Sequence, residues 1–339
     1  MAKQFLMGNY VLAQAAKDAG AKLMFGYPIT PASEILEKWA LFCTKSKNLS
    51  YLQAEDEMAA GFGTVGACLA GVPAFTATAG PGNVLMQDAF SMAEALRMPT
   101  VAMIMQRGGL STSTVIYSQE EVRLTCFGGN GEGFRVVYST ANLQELYDYT
   151  LKAFQIAWQY RWPTFILADG YQAKMMGKVE MGGRGRIKAA PILKKGVNLR
   201  NCYNLEEEIG EIINNYRKEY QKVRAEIEEH QSYQIEGAKI VLIAHGIVAA
   251  ATKSAVEKLR EKKIPVGLFR PITLRPFPAQ AAIAALKKAE KVVVLESAEG
   301  QLANLLKDEV LLPFPLIEYY KPAMGFAPEE IYEEITKIS

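Results

Sequence analysis

The 339-residue sequence predicts an α/β protein made of layered units, and three observations carry that reading. Helix-period and strand-like segments alternate from residue 8 to about residue 168. Two of the strands, 100–105 (TVAMIM) and 164–168 (TFILA), are continuous apolar runs, as expected where a parallel sheet is covered on both faces. The same alternation starts again after Gly237.

Taken in order, residues 8–19 read as a helix stopped by Gly20, and 22–26 as a short strand running into the turn YPITPAS. Ser33 is placed to cap a helix through 34–42, with Ile35, Leu36, Trp39, Leu41 and Phe42 on its buried face. A short segment at 50–54 precedes an Ala/Gly-rich helix at 57–70, whose small side chains allow close approach. A strand at 74–78, an Ala-Gly-Pro-Gly turn and a helix at 83–96 follow, and a helix at 143–160 fits between the two buried strands. The stretch 171–200, rich in Gly, Lys and Arg, reads as an irregular connector. Residues 205–230 form one long polar helix with Ile209, Ile212, Ile213, Tyr216, Tyr220, Val223 and Ile227 on one face. Beyond Gly237, strands at 239–246, 266–271, 291–297 and 316–320 alternate with helices at 249–262, 278–288 and 300–310, which suits a second parallel unit of about 100 residues.

The bulk composition narrows the function classes. A formal net charge of +2 leaves no electrostatic footprint for nucleic acid, and no apolar run spans a bilayer. The N-terminus lacks a signal-peptide cleavage pattern, so the cytoplasm is the expected location. Cys43, Cys68, Cys126 and Cys202 form no C-x-x-C pair, and only His230 and His245 accompany them. An iron–sulfur cluster or a zinc site within this chain is therefore not expected.

Four short motifs stand at strand ends. Gly26-Tyr27-Pro28-Ile29-Thr30-Pro31 closes a strand with a loop stiffened by two prolines, where Thr30 can present a hydroxyl and an N–H to an anion. Glu55-Asp56-Glu57 opens the small-residue helix. Helix-dipole pairing accounts for acids there, and the sequence does not say which of the three would face a site instead. Thr76–Gly82 carries a strand into a Gly-Pro-Gly turn where backbone can approach a ligand closely. Gln106-Arg107-Gly108-Gly109 follows the strand 100–105, and an arginine there can bind a carboxylate through two donors. A solvated loop arginine and a stiffened surface turn are the plain alternatives. Ala168-Asp169-Gly170 ahead of Asn198 imitates a magnesium-diphosphate signature, but its first glycine is replaced by Ala168 and its interior is the irregular connector, so the match is read as accidental.

In this order, the motifs at 26–35, 54–60, 76–82 and 106–109 resemble the alpha subunit of 2-oxoacid:ferredoxin oxidoreductases. His245-Gly246, 268–274 and Pro276-Phe277-Pro278 resemble that subunit's transketolase C-terminal-like domain. The resemblance implies a pyrimidine-binding domain over 1–185, a connector and long helix over 186–235, and a transketolase C-terminal-like domain over 236–339. It implies thiamine diphosphate shared with a beta subunit, with Mg²⁺ and a [4Fe-4S] cluster in that partner and none in this chain. Gamma and delta subunits are possible further partners, ferredoxin accepts the electrons and coenzyme A accepts the acyl group. Nucleic acid and membrane are not expected partners.

By the same resemblance Glu57 hydrogen-bonds a ring nitrogen of the cofactor pyrimidine and favours the imino tautomer that removes the thiazolium proton. Pro28 and Ile29 line the cofactor beside it. Thr30 and Arg107 hold the substrate carboxylate, which makes Glu57, Thr30 and Arg107 the expected catalytic set. The chain departs from the family where relatives continue as Gly-Pro-Ser-Thr-Gly: here the loop is Gly109-Leu110-Ser111-Thr112-Ser113. That loop is expected to line the side-chain pocket. The change leaves 2-oxoglutarate, a branched-chain oxoacid, pyruvate and an aryl oxoacid open, whereas oxalate is disfavoured because Thr30 stands where a second arginine is expected. Two other readings remain: the pyrimidine-side subunit of another thiamine enzyme, NAD-linked or transketolase-like, and a non-catalytic nucleotide-binding α/β protein.

Overall fold

The computed structural model describes residues 2–182, 187–194, 196, 198–312 and 315–339. A seven-stranded sheet dominates the N-terminal part. Its strands are β2 (Leu23–Gly26), β3 (Ser50–Gln53), β4 (Ala74–Thr78), β5 (Val101–Gln106), β6 (Val136–Ser139), β7 (Thr164–Asp169) and β12 (Thr273–Arg275), in the spatial order β12-β6-β7-β5-β4-β2-β3. All neighbours are parallel except β12, which runs antiparallel to β6. Strands β4, β5, β6 and β7 are buried along their whole length, as the unbroken apolar runs of β5 and β7 predict; β6 is a strand that the sequence patterning does not predict.

Alternate residues of these strands serve different cores. Val101, Met103 and Met105 pack under the helices Gly8–Ala19, Ser33–Cys43 and Leu143–Tyr160. Ala102 and Ile104 face the opposite way, onto Phe90, Val122 and Cys126, and share one apolar cluster with Val241, Ile243 and Phe269 of the second sheet. That second sheet contains β9 (His230–Tyr233), β10 (Ile240–Ile243), β11 (Val266–Pro271), β13 (Lys291–Glu296) and β14 (Ile317–Tyr320), ordered β14-β13-β10-β11-β9. It is parallel apart from β9.

Several expectations are corrected. The predicted helix at 83–96 is two helices, Pro81–Leu85 and Gln87–Ala95, which meet at Met86. Ser33 does not cap the second helix; the residue before it, Ala32, is the N-cap and no side chain bonds there. The connector is not irregular at its start. Gly170–Lys174 is a short helix, and β8 (Met176–Met181) pairs antiparallel with β1 (Ala2–Met7) in a two-stranded ribbon. The second sheet is not wholly parallel, and β12 passes from the second unit into the first sheet. The expected unit boundary at 185 lies outside the described residues. The long helix spans Glu206–Ile227, and all seven apolar residues assigned to its packing face are buried or half-buried. Tyr220 locks it to the first sheet by donating its hydroxyl proton to the Arg135 carbonyl at 2.5 Å. Among the described residues no helix is long and apolar enough to cross a membrane.

Candidate active site

The carboxyl ends of β2, β4 and β5 converge, and each delivers one of the sequence motifs. After β2 the loop Tyr27–Pro31 leaves the sheet with Tyr27, Pro28 and Thr30 exposed and Ile29 half-buried. The peptide Thr30–Pro31 is cis. Asn9, on the first helix, holds this loop from beneath: its amide donates to the Pro31 carbonyl at 2.6 Å and to Glu34 at 2.7 Å. Arg107, just past β5, is 4% exposed and reaches across to the same loop, its Nη1 donating to the Thr30 carbonyl at 2.6 Å. Arg107 Nε is buried with no hydrogen-bond partner.

The acidic triplet divides into separate roles. Asp56 is the N-cap of the helix Glu57–Leu69, and its carboxylate accepts the Ala59 N–H at 2.7 Å. Helix-end pairing thus accounts for Asp56. Glu57 opens the first turn and points inward, 5% exposed. Burial pushes its carboxyl above the ordinary carboxylate range; its backbone hydrogen bond and the Arg107 cation oppose that shift, and Asp56 adds to it. The turn after β4 fits closely against it. A Cβ on Gly82 would lie 2.2 Å from Thr78 Oγ1 and 2.6 Å from Glu57 Oε1, so only glycine lets the turn approach. The structure therefore brings Thr30, Glu57, Gly82 and Arg107 to one strand edge. Pro28 and Ile29 sit on the same loop as Thr30. The loop 110–117 flanks them, and its Leu110 is 95% exposed.

Glu121 was not singled out from the sequence. It is 5% exposed, with Oε1 accepting the Gly80 N–H at 2.8 Å and the Arg107 N–H at 2.9 Å, while Oε2 accepts from Asn83 Nδ2 at 2.9 Å. Its only sequence signal is an acidic pair, Glu120-Glu121, after a hydroxyl-rich loop. Asp169 has a role different from the metal signature it imitates. One oxygen accepts from Gln106 Nε2 at 3.2 Å, and the other accepts the Ile247 N–H at 2.8 Å, at the start of the helix Gly246–Glu261. It fastens the two sheets together. Among the described residues no group of three or more His, Cys, Asp or Glu is placed to hold a metal ion.

Comparison with known proteins fits this arrangement. The family described as pyruvate flavodoxin/ferredoxin oxidoreductase, thiamine-diphosphate-binding, matches residues 14–240, and core domain II of pyruvate:ferredoxin oxidoreductase matches 238–321. The chain belongs to this family of 2-oxoacid oxidoreductases. It is 31% identical to the KorA subunit of 2-oxoglutarate synthase from Methanocaldococcus jannaschii, over 89% of this chain and 90% of that one. It is 33% identical to the VorB subunit of ketoisovalerate oxidoreductase from Methanothermobacter marburgensis, over 91% and 90%. The fold matches 2-oxoglutarate:ferredoxin oxidoreductase from Magnetococcus marinus, solved with 2-oxoglutarate, coenzyme A and succinyl-CoA bound, with a TM-score of 0.88 at 24% identity. That match covers 99% of this chain, which spans 65% of the solved chain's length.

Proposed function

We propose that this chain is the alpha-type catalytic subunit of a 2-oxoacid:ferredoxin oxidoreductase, supplying the pyrimidine side of a thiamine diphosphate site. The supporting observation is Glu57: a nearly buried carboxyl at the carboxyl edge of a parallel sheet, pressed against a Gly-Pro-Gly turn. A buried carboxyl with a raised proton affinity suits a nitrogen heterocycle with which it can share a proton. Glu57 with the Gly80–Gly82 turn would hold the cofactor's pyrimidine, and Pro28 and Ile29 would flank it. When bound, thiamine diphosphate supplies the carbon nucleophile that attacks the oxoacid carbonyl.

The remaining steps assigned to this chain belong to its own side chains. Glu57 holds a proton at the ring nitrogen. Arg107 and Thr30 bind the substrate carboxylate and orient it for loss as CO₂. The spare Arg107 Nε provides a donor beyond the one already given to the Thr30 carbonyl. The partner beta subunit would bring Mg²⁺, the diphosphate site and the [4Fe-4S] cluster; ferredoxin would take the electrons and coenzyme A the acyl group. Gamma and delta subunits would complete the assembly, and purification of the native complex counts them. The two relatives act, by name, on 2-oxoglutarate and ketoisovalerate, so the family leaves the substrate's side chain open.

The test is co-purification of the native complex, followed by a panel of 2-oxoacids assayed with coenzyme A and a ferredoxin or viologen acceptor. Reduction that depends on one oxoacid and on coenzyme A is expected. A complex that lacks an iron–sulfur subunit and reduces NAD instead would overturn this reading.

A further inference from the structure

Three hydrogen bonds near the candidate site converge on a side chain to which neither the sequence motifs nor the family resemblance assigned a role. We infer that Glu121 is the positioning residue of this site: its carboxylate clamps the Arg107 backbone and the Gly80–Gly82 turn together, and so sets both the substrate-carboxylate donor and the surface against which Glu57 rests. The inference deepens the proposed function and rests on it.

The geometry is specific. Oε1 is shared by two backbone donors from different strand ends, Gly80 after β4 and Arg107 after β5. Oε2 is taken by Asn83 Nδ2, whose amide also donates to Thr125 Oγ1 at 3.1 Å, and Gln87 Nε2 donates to Asn83 Oδ1 at 2.8 Å. Both oxygens are thus engaged in a dry site, where charge-assisted bonds are short and directional. Gly80 holds φ 52 and ψ −121, a conformation open to glycine, and a Cβ there would stand 2.6 Å from Arg107 Nε. The guanidinium therefore lies directly over the turn whose N–H Glu121 grips. Movement of one N–H shifts the other, and with it the plane of the Arg107 side chain.

Glu121 is itself anchored from the second sheet. Two residues earlier, the Gln119 N–H donates to the Ser297 carbonyl at 2.9 Å, and Gln119 Nε2 donates to the His245 carbonyl at 3.0 Å. Two residues later, the Arg123 N–H donates to Gln301 Oε1 at 3.0 Å. The carboxylate is the point where the second unit meets the Arg107 loop.

The experiment compares wild type, Glu121→Gln and Asn83→Ala in the assembled complex, with two readouts. Steady-state kinetics on the preferred 2-oxoacid should show KM raised roughly tenfold or more in Glu121→Gln, with kcat falling less, because loss of a charge-assisted contact costs about that factor. Asn83→Ala, which leaves the two backbone contacts in place, should shift KM less. Amide hydrogen exchange at Gly80 and Arg107 should rise at least about tenfold in Glu121→Gln, since each N–H loses an ionic acceptor. Faster exchange with wild-type KM, or wild-type exchange with raised KM, would overturn the positioning role. A wild-type complex that turns over no 2-oxoacid sinks the functional reading; the clamp then stands or falls on exchange alone. If Glu121→Gln fails to assemble, Asn83→Ala with no change in either readout overturns the proposal.

Discussion

The two parallel sheets end in opposite ways at their carboxyl edges. A general rule of open α/β sheets places ligands at such edges, and it points to both. The second sheet's edge is plugged. His245 after β10, Arg270 in β11 and Glu296 at the end of β13 are almost wholly buried, and the first unit fills the space in front of them. Ser139 Oγ meets His245 Nδ1 at 2.9 Å, Asp169 accepts the Ile247 N–H, and Glu145 binds Arg270 through both oxygens, at 2.9 and 2.5 Å. Glu296 turns back to cap its own following helix at Leu302 and Ala303. The first sheet's edge at β2, β4 and β5 is open instead, with Tyr27, Pro28 and Thr30 exposed around Glu57 and Arg107. Arg107 Nε at the open edge and His245 Nε2 and Arg270 Nε at the plugged edge all lack a partner, so the edges differ in what surrounds the charges: an exposed loop at one and a packed neighbour at the other.

That contrast is most directly broken at Glu57. Glu57→Ala in the assembled complex should lower turnover at least about 100-fold, the usual contribution of a positioned acid–base group. Stability should hold or rise, because burial already disfavours its ionised form. Turnover within threefold of wild type would remove Glu57 from the chemistry.

Arg107→Lys tests the second charge at the open edge. Lysine keeps the cation but cannot serve the Thr30 carbonyl and a substrate carboxylate in the fork geometry of a guanidinium. KM for the oxoacid should rise by roughly 10- to 100-fold, the range for a lost charge-assisted hydrogen bond. An unchanged KM would place the carboxylate elsewhere.

Much of this edge was legible in the sequence, because glycine and proline punctuate it. Arg107 follows the apolar run of β5, Thr30 lies in a loop marked by Gly26 and two prolines, Glu57 opens an Ala/Gly-rich helix, and the strand predicted at 74–78 is the one observed. The plugged edge was not legible. Its contacts between the two units join residues more than 70 apart along the chain, as with Ile247 and Asp169, so no local pattern links them. Three-residue β12 and the β1–β8 ribbon were missed for the same reason: each is defined by a distant partner rather than by its own periodicity. Glu121 is a third case, since its role is visible only once Gly80 and Arg107 stand side by side.

Two glycines sharpen the comparison with one substitution each. Gly82→Ala drives a methyl into Thr78 and Glu57 at the open edge, and Gly246→Ala drives one to within 2.1 Å of Asp169 Oδ2 at the plugged edge, where φ is also +56. Each should cost about 1–3 kcal/mol of stability by overpacking and strain. Only Gly82→Ala should also depress turnover per folded molecule. Denaturant titration paired with active-site-normalised kinetics measures both, and equal loss of turnover in the two variants would dissolve the distinction.

The plugged edge also carries a pH dependence of its own. Burial raises Asp169 to about 7 and lowers His245 to about 3, from ordinary values of 3.8 and 6.5. Between pH 3.8 and 7 the folded chain keeps a proton on Asp169 that the unfolded chain has lost, so this group's contribution to stability falls as pH rises. Between pH 3 and 6.5 the unfolded chain holds a proton on His245 that the folded chain lacks, so that contribution rises with pH. The two slopes offset each other across their common window, 3.8 to 6.5. Asp169→Asn keeps a carbonyl for the Ile247 N–H and deletes one slope. Relative to wild type, its stability should therefore drop on acidification through that window, by up to about 1.4 kcal/mol per pH unit. Urea titrations of both proteins at pH 4.5, 5.5 and 6.5 read the difference directly, and parallel profiles would mean that Asp169 is ionised in the folded joint.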